Sequence, residues 1–156
     1  MSKRMKIQKS ATADTRTSDF SKVTKEQLKA ATFSHIADVR QALAHFQNRL
    51  HEAAKAHDFT KVDHIDLFHK DFTNGFKTTD WWDGHRKTER HHLMQEDGVK
   101  PDVDLIDVLE FIADCVMAGL ARSGSVYKLE LPNETLQKAF QNTVSKLESE
   151  IEVDGE

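Results

Sequence analysis

The chain has 156 residues, a formal net charge of −4, and charged side chains of both signs spread along its length. This size suits one domain with its own core, and the mixed charge excludes a dedicated nucleic-acid surface. The only cysteine, Cys115, excludes an intramolecular disulfide, and no apolar run suits a membrane span or a signal peptide. We therefore expect a cytoplasmic protein without membrane contact.

The first part of the chain predicts a flexible arm followed by a long helix. Residues 1–22 are rich in Ser, Thr, Lys and Asp and have no apolar period. Thr24 and Gln27 have the spacing of a capping box, which marks a helix start. The stripe that follows at helical spacing consists of Ile36, Val39, Leu43, Phe46, Leu50, Ala53, Ala54 and His57. This pattern predicts one helix ending near Asp58.

Two further helices are predicted in the second half. Asp102 or Asp104 can cap a helix that runs to about residue 121, and Gly124 is its stop signal. Asn133 can cap the last helix.

Strand patterns are almost missing from the sequence. Only residues 125–131 alternate between polar and apolar side chains, so a sheet of any size is not expected. We predict an all-α fold, a single-domain helical bundle over residues 23–151 with a short extended segment near 125–131. The acidic end at 152–156 is expected to fray.

Histidines concentrate in two segments that could carry chemistry. His57 lies beside Asp58, and the run "WWDGHRKTERHH" contains His85, His91 and His92. Neutral imidazoles at this density are typical of a transition-metal site. Because adjacent histidines cannot usually both reach one ion from a regular helix, one of the last two could serve a substrate or support a ligand. The alternatives are a polar helix end and a basic, solvated loop anchored by tryptophan.

The helix predicted after residue 103 carries an acidic stripe. Four carboxylates share one narrow face, namely Asp104, Asp107, Glu110 and Asp114. The apolar arc around them is too wide for a helix resting on the surface, which favours a stripe pointing into a polar interior cleft. The possible partners are the histidines, Lys61, Arg90 and a divalent cation. A solvated acidic face is the alternative.

At these residues the chain resembles a family of short, His-rich proteins of phages and bacteria. In that family HI-x-x-V precedes HD-x-[ST]-K, and here the two motifs read "HIADV" and "HDFTK". An Arg-His-His triplet and a Glu-x-x-x-Asp pair follow in the same order, as in "HRKTERHH" and "LIDVLEFIAD". The resemblance covers roughly residues 33–147. It implies a setting in nucleotide metabolism, as for small proteins of T-even-like phages, and hence a place in the host cytoplasm.

The HD pair is also similar to that of the metal-dependent HD phosphohydrolases. Those enzymes hold one or two ions with a first histidine, an adjacent His-Asp pair and a distant aspartate, and His35 would be the first histidine here. An unbroken helix, however, would separate His35 from His57 by about 33 Å at ~1.5 Å per residue. Glu110 and Asp114 are equally similar to the carboxylate pairs of all-α nucleotide pyrophosphatases. An HD-like fold is therefore one expectation, and His35 and Asp107 are further candidate site residues.

The first functional hypothesis is a metal-dependent phosphohydrolase that acts on a nucleotide. Its divalent ion (Mn, Fe, Zn or Mg) would be held by His57, Asp58, His91 or His92, and Asp114. Glu110 would take the proton of the activated water and Lys61 would neutralise the phosphate, both as catalytic residues. The substrate would contact Arg90, His85 and Trp82.

The second hypothesis is a non-catalytic modulator. Such a protein would bind a nucleotide-synthesising enzyme, for instance a deoxynucleoside monophosphate kinase, and alter its activity or specificity. A third interpretation treats the His and Asp clusters as a buried polar network of a helical bundle. Kinase and covalent-hydrolase functions are not supported, because the sequence has no Gly-rich phosphate loop and no Ser or Cys nucleophile motif.

Overall fold

A computed structural model describes residues 4–9, 20–78 and 80–154. These residues are mostly helical, which confirms the all-α prediction. The elements in chain order are β1 (Met5–Gln8), α1 (Lys25–Ala56), α2 (Phe59–Asp63), α3 (Ile65–Thr73), α4 (Asp80–Thr88), α5 (Leu105–Ser123), α6 (Asn133–Ser149) and β2 (Ile151–Asp154), with a short 3-10 turn at Glu96–Gly98. None of the helices in the described ranges is long and apolar enough to cross a membrane.

The contacts within the chain group it into two compact units. The first unit contains Met1–Asn48 and Ser145–Glu156, and the second contains Arg49–Val144. Every residue of the candidate site described below belongs to the second unit, apart from the predicted site residue His35.

The first unit contains the only strands of the described chain. β1 and β2 run parallel, with Met5 opposite Ile151 and Gln8 opposite Asp154. These strands include residues 5–8 of the predicted flexible arm and residues 152–154 of the predicted acidic tail, and backbone hydrogen bonds hold the two segments together. Lys6 adds exposed ion pairs of 3.8 Å to the acidic strand. Most of the remaining arm, at residues 1–3 and 10–19, lies outside the described ranges.

Helix α1 begins and ends close to where the sequence predicts. The capping box is present, since Thr24 N donates to Gln27 Oε1 at 2.9 Å and Gln27 N donates to Thr24 Oγ1 at 3.2 Å. The helix has no break over its 32 residues, and none of its residues is buried. It ends just before Asp58, whose backbone is left-handed with φ 57°. That turn directs the chain into the short helix α2.

The hydrophobic core of the second unit forms around α5. Its buried members are Leu93, Val103, Val108, Phe111, Cys115 and Ala139. The predicted caps of α5 are confirmed: Asp104 and Asp107 form a capping box, and Gly124 adopts the left-handed conformation with φ 69°. Leu129 and Leu131, in the predicted extended segment, pack against this core. The segment itself forms neither helix nor strand.

Helices α2, α3 and α4 were not predicted from the sequence. Phe68 of α3 packs against Trp81 of α4 with ring centroids 4.6 Å apart, and the same indole stacks on His85 at 4.9 Å. Trp81 is consequently buried. This aromatic contact fixes the helix that carries the first histidine of the "HRKTERHH" segment.

Candidate metal centre

Four segments of the second unit bring histidines and carboxylates together. They are the turn after α1, helix α4, the turn after α4, and the middle of α5, which contribute His57, Asp58, His85, His91, His92, Glu110 and Asp114. Three groups among these residues have ligand atoms within 4.8 Å of one another and could hold a metal ion: His85, His91 and His92; His57, His91 and Glu110; and His57, Asp58 and Asp114. The predicted convergence of the HDFTK segment, the Arg-His-His triplet and the acidic stripe is thus present in the structure.

The Asp58 carboxylate lies at the centre of this cluster. Its Oδ1 atom is 3.5 Å from His85 Nε2 and 3.7 Å from His91 Nε2. Its Oδ2 atom is 3.6 Å from His57 Nε2, which in turn is 3.8 Å from Asp114 Oδ1. Donor atoms that bind one ion at ~2.0–2.2 Å are themselves separated by roughly 3.0–3.6 Å. The observed separations are therefore close to those of a ligand set.

Two atoms in the cluster are buried without a hydrogen-bond partner, Asp58 Oδ1 and His91 Nε2. Leaving a buried polar atom unpaired costs about 1–3 kcal/mol, and such atoms are rare in native proteins. These two atoms face each other at 3.7 Å. A cation between them would satisfy both, so the residues present fit a metal ion.

Glu110 sits behind the imidazoles. Its Oε1 atom is 2.9 Å from His57 Nδ1 and 3.0 Å from His91 Nδ1. When both Nδ1 atoms donate to this carboxylate, the Nε2 lone pairs of the two rings point towards Asp58. A carboxylate in this position orients ligands and raises their basicity.

His85 is held in a similar way by Thr60 and Glu89. The Thr60 hydroxyl donates to Glu89 Oε1 at 2.6 Å and lies 2.7 Å from His85 Nδ1, from which it can only accept. The ring therefore carries its proton on Nδ1, and its Nε2 lone pair faces the cluster. His92 Nε2 is 2.9 Å from this atom. His85 is thus placed among the ligand atoms, although the sequence predicted a substrate contact.

Electrostatics keep two of the histidines neutral. Burial, reinforced by the charge of Lys61, lowers the pKa of His85 to about 4. Burial together with the charge of His91 lowers the pKa of His92 to about 3. Neutral imidazoles are the form that binds metals. Both rings are therefore ready to act as ligands at neutral pH.

The pKa of His91 is shifted the other way. Burial alone would lower it, but the hydrogen bond and charge of Glu110, together with the charges of Asp58 and Asp114, raise it. For the Asp58 carboxyl, burial would raise the pKa, but the hydrogen bond and charge of Lys61 lower it. The cluster thus concentrates negative charge next to His91, as a site for a cation requires.

Arg90 and Asp107 do not join the cluster. Arg90 donates from Nε and Nη2 to the two oxygens of Asp107, at 2.6 and 2.8 Å, and Asp107 also accepts from the backbone N of Asp104. Both predicted site residues are therefore occupied in an ion pair at the start of α5. Asp104 is likewise paired, with Arg49 at 2.6 Å. In the acidic stripe, Asp104 and Asp107 therefore form ion pairs with arginines, whereas Glu110 and Asp114 lie beside the histidines.

The sequence also predicted His35 as a site residue. It lies on the exposed part of α1 in the first unit, and none of the three groups of ligand atoms in the described chain contains it. Since α1 is continuous, His35 and His57 are separated by about 33 Å at ~1.5 Å per residue, too far to share an ion. This protein does not reproduce the first histidine of the HD pattern at that position.

A cleft of about 430 Å³ adjoins the cluster. Its lining includes Lys61, Trp82, His92 and Asp114 from or beside the cluster, and also Arg122, Ser123, Ser125 and Tyr127. Lys61 donates to Asp58 Oδ2 at 2.5 Å, which places its ammonium group at the edge between cluster and cleft. Trp82 stacks on His85 at 5.2 Å and supports one wall. Lys61, predicted as a catalytic residue, and Trp82, predicted as a substrate contact, thus both line this cleft.

Sequence reasoning missed Thr60, Glu89 and Arg122. Thr60 is part of the HDFTK motif, and Glu89 lies one helical turn after His85, so a search for partners of the histidines could have found both. Arg122 lies near the end of α5 and carries no local signal.

Comparison with protein-family models, with curated proteins and with solved structures gives no match.

Proposed function

We propose that this chain is a metal-dependent phosphohydrolase that acts on a nucleotide. The observation that carries the proposal is the pair of unpartnered buried atoms, Asp58 Oδ1 and His91 Nε2, which face each other inside a cluster of further ligand atoms. A purely structural polar network would be expected to pair such atoms with each other or with neighbours.

His57, Asp58, His85, His91 and Asp114 are the residues that would hold the ion, with His92 beside them. A divalent ion bound there lowers the pKa of a coordinated water towards ~7 and supplies a nucleophile at neutral pH. The mixture of imidazole and carboxylate ligands suits Zn, Mn or Fe better than Mg, which prefers oxygen ligands. Glu110 would act through the rings of His57 and His91, as a residue that positions them.

The cleft supplies what a phosphate ester needs next to such a site. Lys61 lies beside Asp58 and can neutralise a phosphate oxygen as it approaches the ion. Arg122, which lies two turns after Asp114 on α5 and also lines the cleft, replaces Arg90 in the proposed phosphate-binding role, because Arg90 is fixed on Asp107. Trp82 and Tyr127 offer aromatic surfaces for a base. The volume of the cleft suits a ligand the size of a nucleotide.

The proposal is tested with protein purified without a His-tag, stripped with a chelator and reloaded with one metal at a time. Phosphate release is then measured on a panel of nucleoside mono- and triphosphates. We expect turnover with at least one transition metal and none in Asp58→Asn, while Asp63→Asn, an exposed aspartate of α2, keeps full activity. Metal binding without turnover on any nucleotide would instead favour the modulator that alters a nucleotide-synthesising enzyme.

A further inference from the structure

One face of helix α1 carries a row of apolar residues from Ile36 to Ala53, here called the seam, and these side chains are not buried in the described structure. None of its residues is buried, and four seam residues are largely open to solvent: Ile36 (37%), Val39 (42%), Leu43 (60%) and Leu50 (39%). A helix is normally stabilised by covering such a face, since intrinsic propensity alone is marginal.

The spacing of the seam specifies what kind of partner fits it. Six apolar residues follow one another at alternating intervals of three and four, in the order Ile36, Val39, Leu43, Phe46, Leu50 and Ala53. This is the heptad pattern of a narrow helix-to-helix contact, whereas a helix resting on a globular core has a wider apolar stripe. The complementary surface is therefore another helix with the same period.

We infer that the seam of α1 is covered by the α1 helix of a second copy of this chain, running antiparallel. A two-fold dimer needs a self-complementary surface. About a point midway between Leu43 and Phe46, the seam complements itself: those two residues meet each other, Val39 meets Leu50, and Ile36 meets Ala53. Each layer then pairs a heptad a position of one copy with a d position of the other. The bulkiest pair, Leu43 with Phe46, lies at the centre.

The charges beside the seam agree with this register. Arg40 comes next to Gln47 of the second copy, and Arg49 comes next to Ala42, so no two like charges meet. Beyond the last apolar layer, His57 faces Thr32 of the second copy, so the seam ends on polar side chains.

The last residues of the seam, Leu50 and Ala53, line a groove within the second unit. It is about 480 Å³ and is lined mainly by Leu50, Ala53, Ala54, Leu109, Ala113 and Met117, with His57 and Glu110 at its edge. In the antiparallel register, Phe33 of the second copy lies next to Ala54 at this groove. Phe33 is itself 61% exposed. The second copy thereby shields the apolar side of the metal centre.

The area agrees with a stable dimer. Five large apolar residues of α1 would be covered: Phe33, Ile36, Val39, Leu43 and Leu50. With roughly 100 Å² open on each, about 500 Å² per chain and ~1,000 Å² in total is removed from water, which reaches the ~1,000 Å² expected of a specific interface.

The mass of the protein in solution tests this inference without reference to activity. Sedimentation equilibrium at micromolar concentration should give twice the chain mass of 17.8 kDa. Leu43→Glu should give the mass of a monomer with unchanged helical circular dichroism, because Leu43 contacts no core. The matched control Gln41→Glu, on the opposite face of the same helix, should remain a dimer. A monomeric wild-type protein, or a Leu43→Glu variant that is still dimeric, would overturn the inference.

Cysteine cross-linking tests the orientation. In an antiparallel pair, Val39→Cys chains mixed with Leu50→Cys chains should oxidise to covalent heterodimers, because the two positions share a layer. Either variant alone should not cross-link, since its two copies of that position lie about 16 Å apart along the helix at ~1.5 Å per residue. Efficient cross-linking of Val39→Cys alone would refute the antiparallel register.

Discussion

Replacing Asp58 by Asn should abolish the stabilisation that a divalent ion gives the folded protein. The change removes the charge but keeps the shape of the side chain, and Asn tolerates the left-handed backbone found at this position. The lost oxygen, Oδ1, is the one that faces both His85 and His91. The variant therefore loses the ligand shared between two parts of the cluster while its fold is retained.

The expected size of the effect follows from linkage. An ion present at 100 times its Kd stabilises the folded state by about 2.7 kcal/mol. For a chain of this length, each kcal/mol raises Tm by roughly 2–4 °C, so the wild-type protein should gain about 5–10 °C. The Asp58→Asn variant should gain less than about 1 °C under the same conditions, because loss of one ligand lowers the affinity well beyond the excess of ion used.

Calorimetry with and without chelator, together with the metal content after dialysis, measures this difference. Asp63→Asn is the matched control, because it removes an exposed carboxylate five residues away and should keep the full metal-induced shift. If Asp58→Asn shows the same shift and metal content as the wild-type protein, the ion is not bound at this cluster, and the reasoning from the unpartnered atoms is refuted.

Three further outcomes are expected. Thr60→Val should weaken metal binding about 10–100-fold with little change in circular dichroism, because His85 loses the hydroxyl that orients it; equal affinity in a competition titration would contradict this. Arg90→Ala should lower the free energy of unfolding in urea by about 2–3 kcal/mol, since it leaves the buried carboxylate of Asp107 unpaired, yet the metal-induced shift should persist; a large loss of metal binding would show that Arg90 belongs to the site. Without metal, the wild-type protein should lose stability as pH falls from about 6.5 to about 4, because His85 is protonated at a higher pH in the unfolded state than in the folded state. His85→Asn should flatten this part of the stability profile. Identical profiles of the variant and the wild-type protein would be inconsistent with a depressed pKa of His85.

Local signals predicted the ends of the long helices well. Thr24 with Gln27, Asp104 with Asp107, and Gly124 each act through neighbouring backbone groups, so their effect can be read from the sequence alone. The α2 to α4 region lacks such signals, because its helices are short and depend on contacts such as that of Phe68 with Trp81. The pairing of the two end strands joins residues almost a full chain length apart, and no local pattern encodes it.

The candidate site, too, was predicted from local sequence signals only in part. The sequence identified most of the groups that converge, because histidines next to aspartates are conspicuous and α5 presents its carboxylates on one face. It could not distinguish the two halves of that face, since Asp107 is occupied by Arg90, a residue 17 positions away. The direction in which the His85 ring points depends on Thr60, 25 positions earlier, and required the folded structure.

The left-handed backbone of Asp58 places opposing demands on this position. A residue with a Cβ is strained at φ 57°, Asn and Asp less than the others, and glycine, which has no Cβ, would relieve that strain. Glycine, however, has no oxygen to offer an ion. Selection for a more stable empty protein would therefore favour the loss of this carboxylate, and only selection for what the cluster binds would keep it. Position 58 is thus a place where thermostability and activity trade off directly, and a library enriched for heat resistance alone should drift towards Gly there.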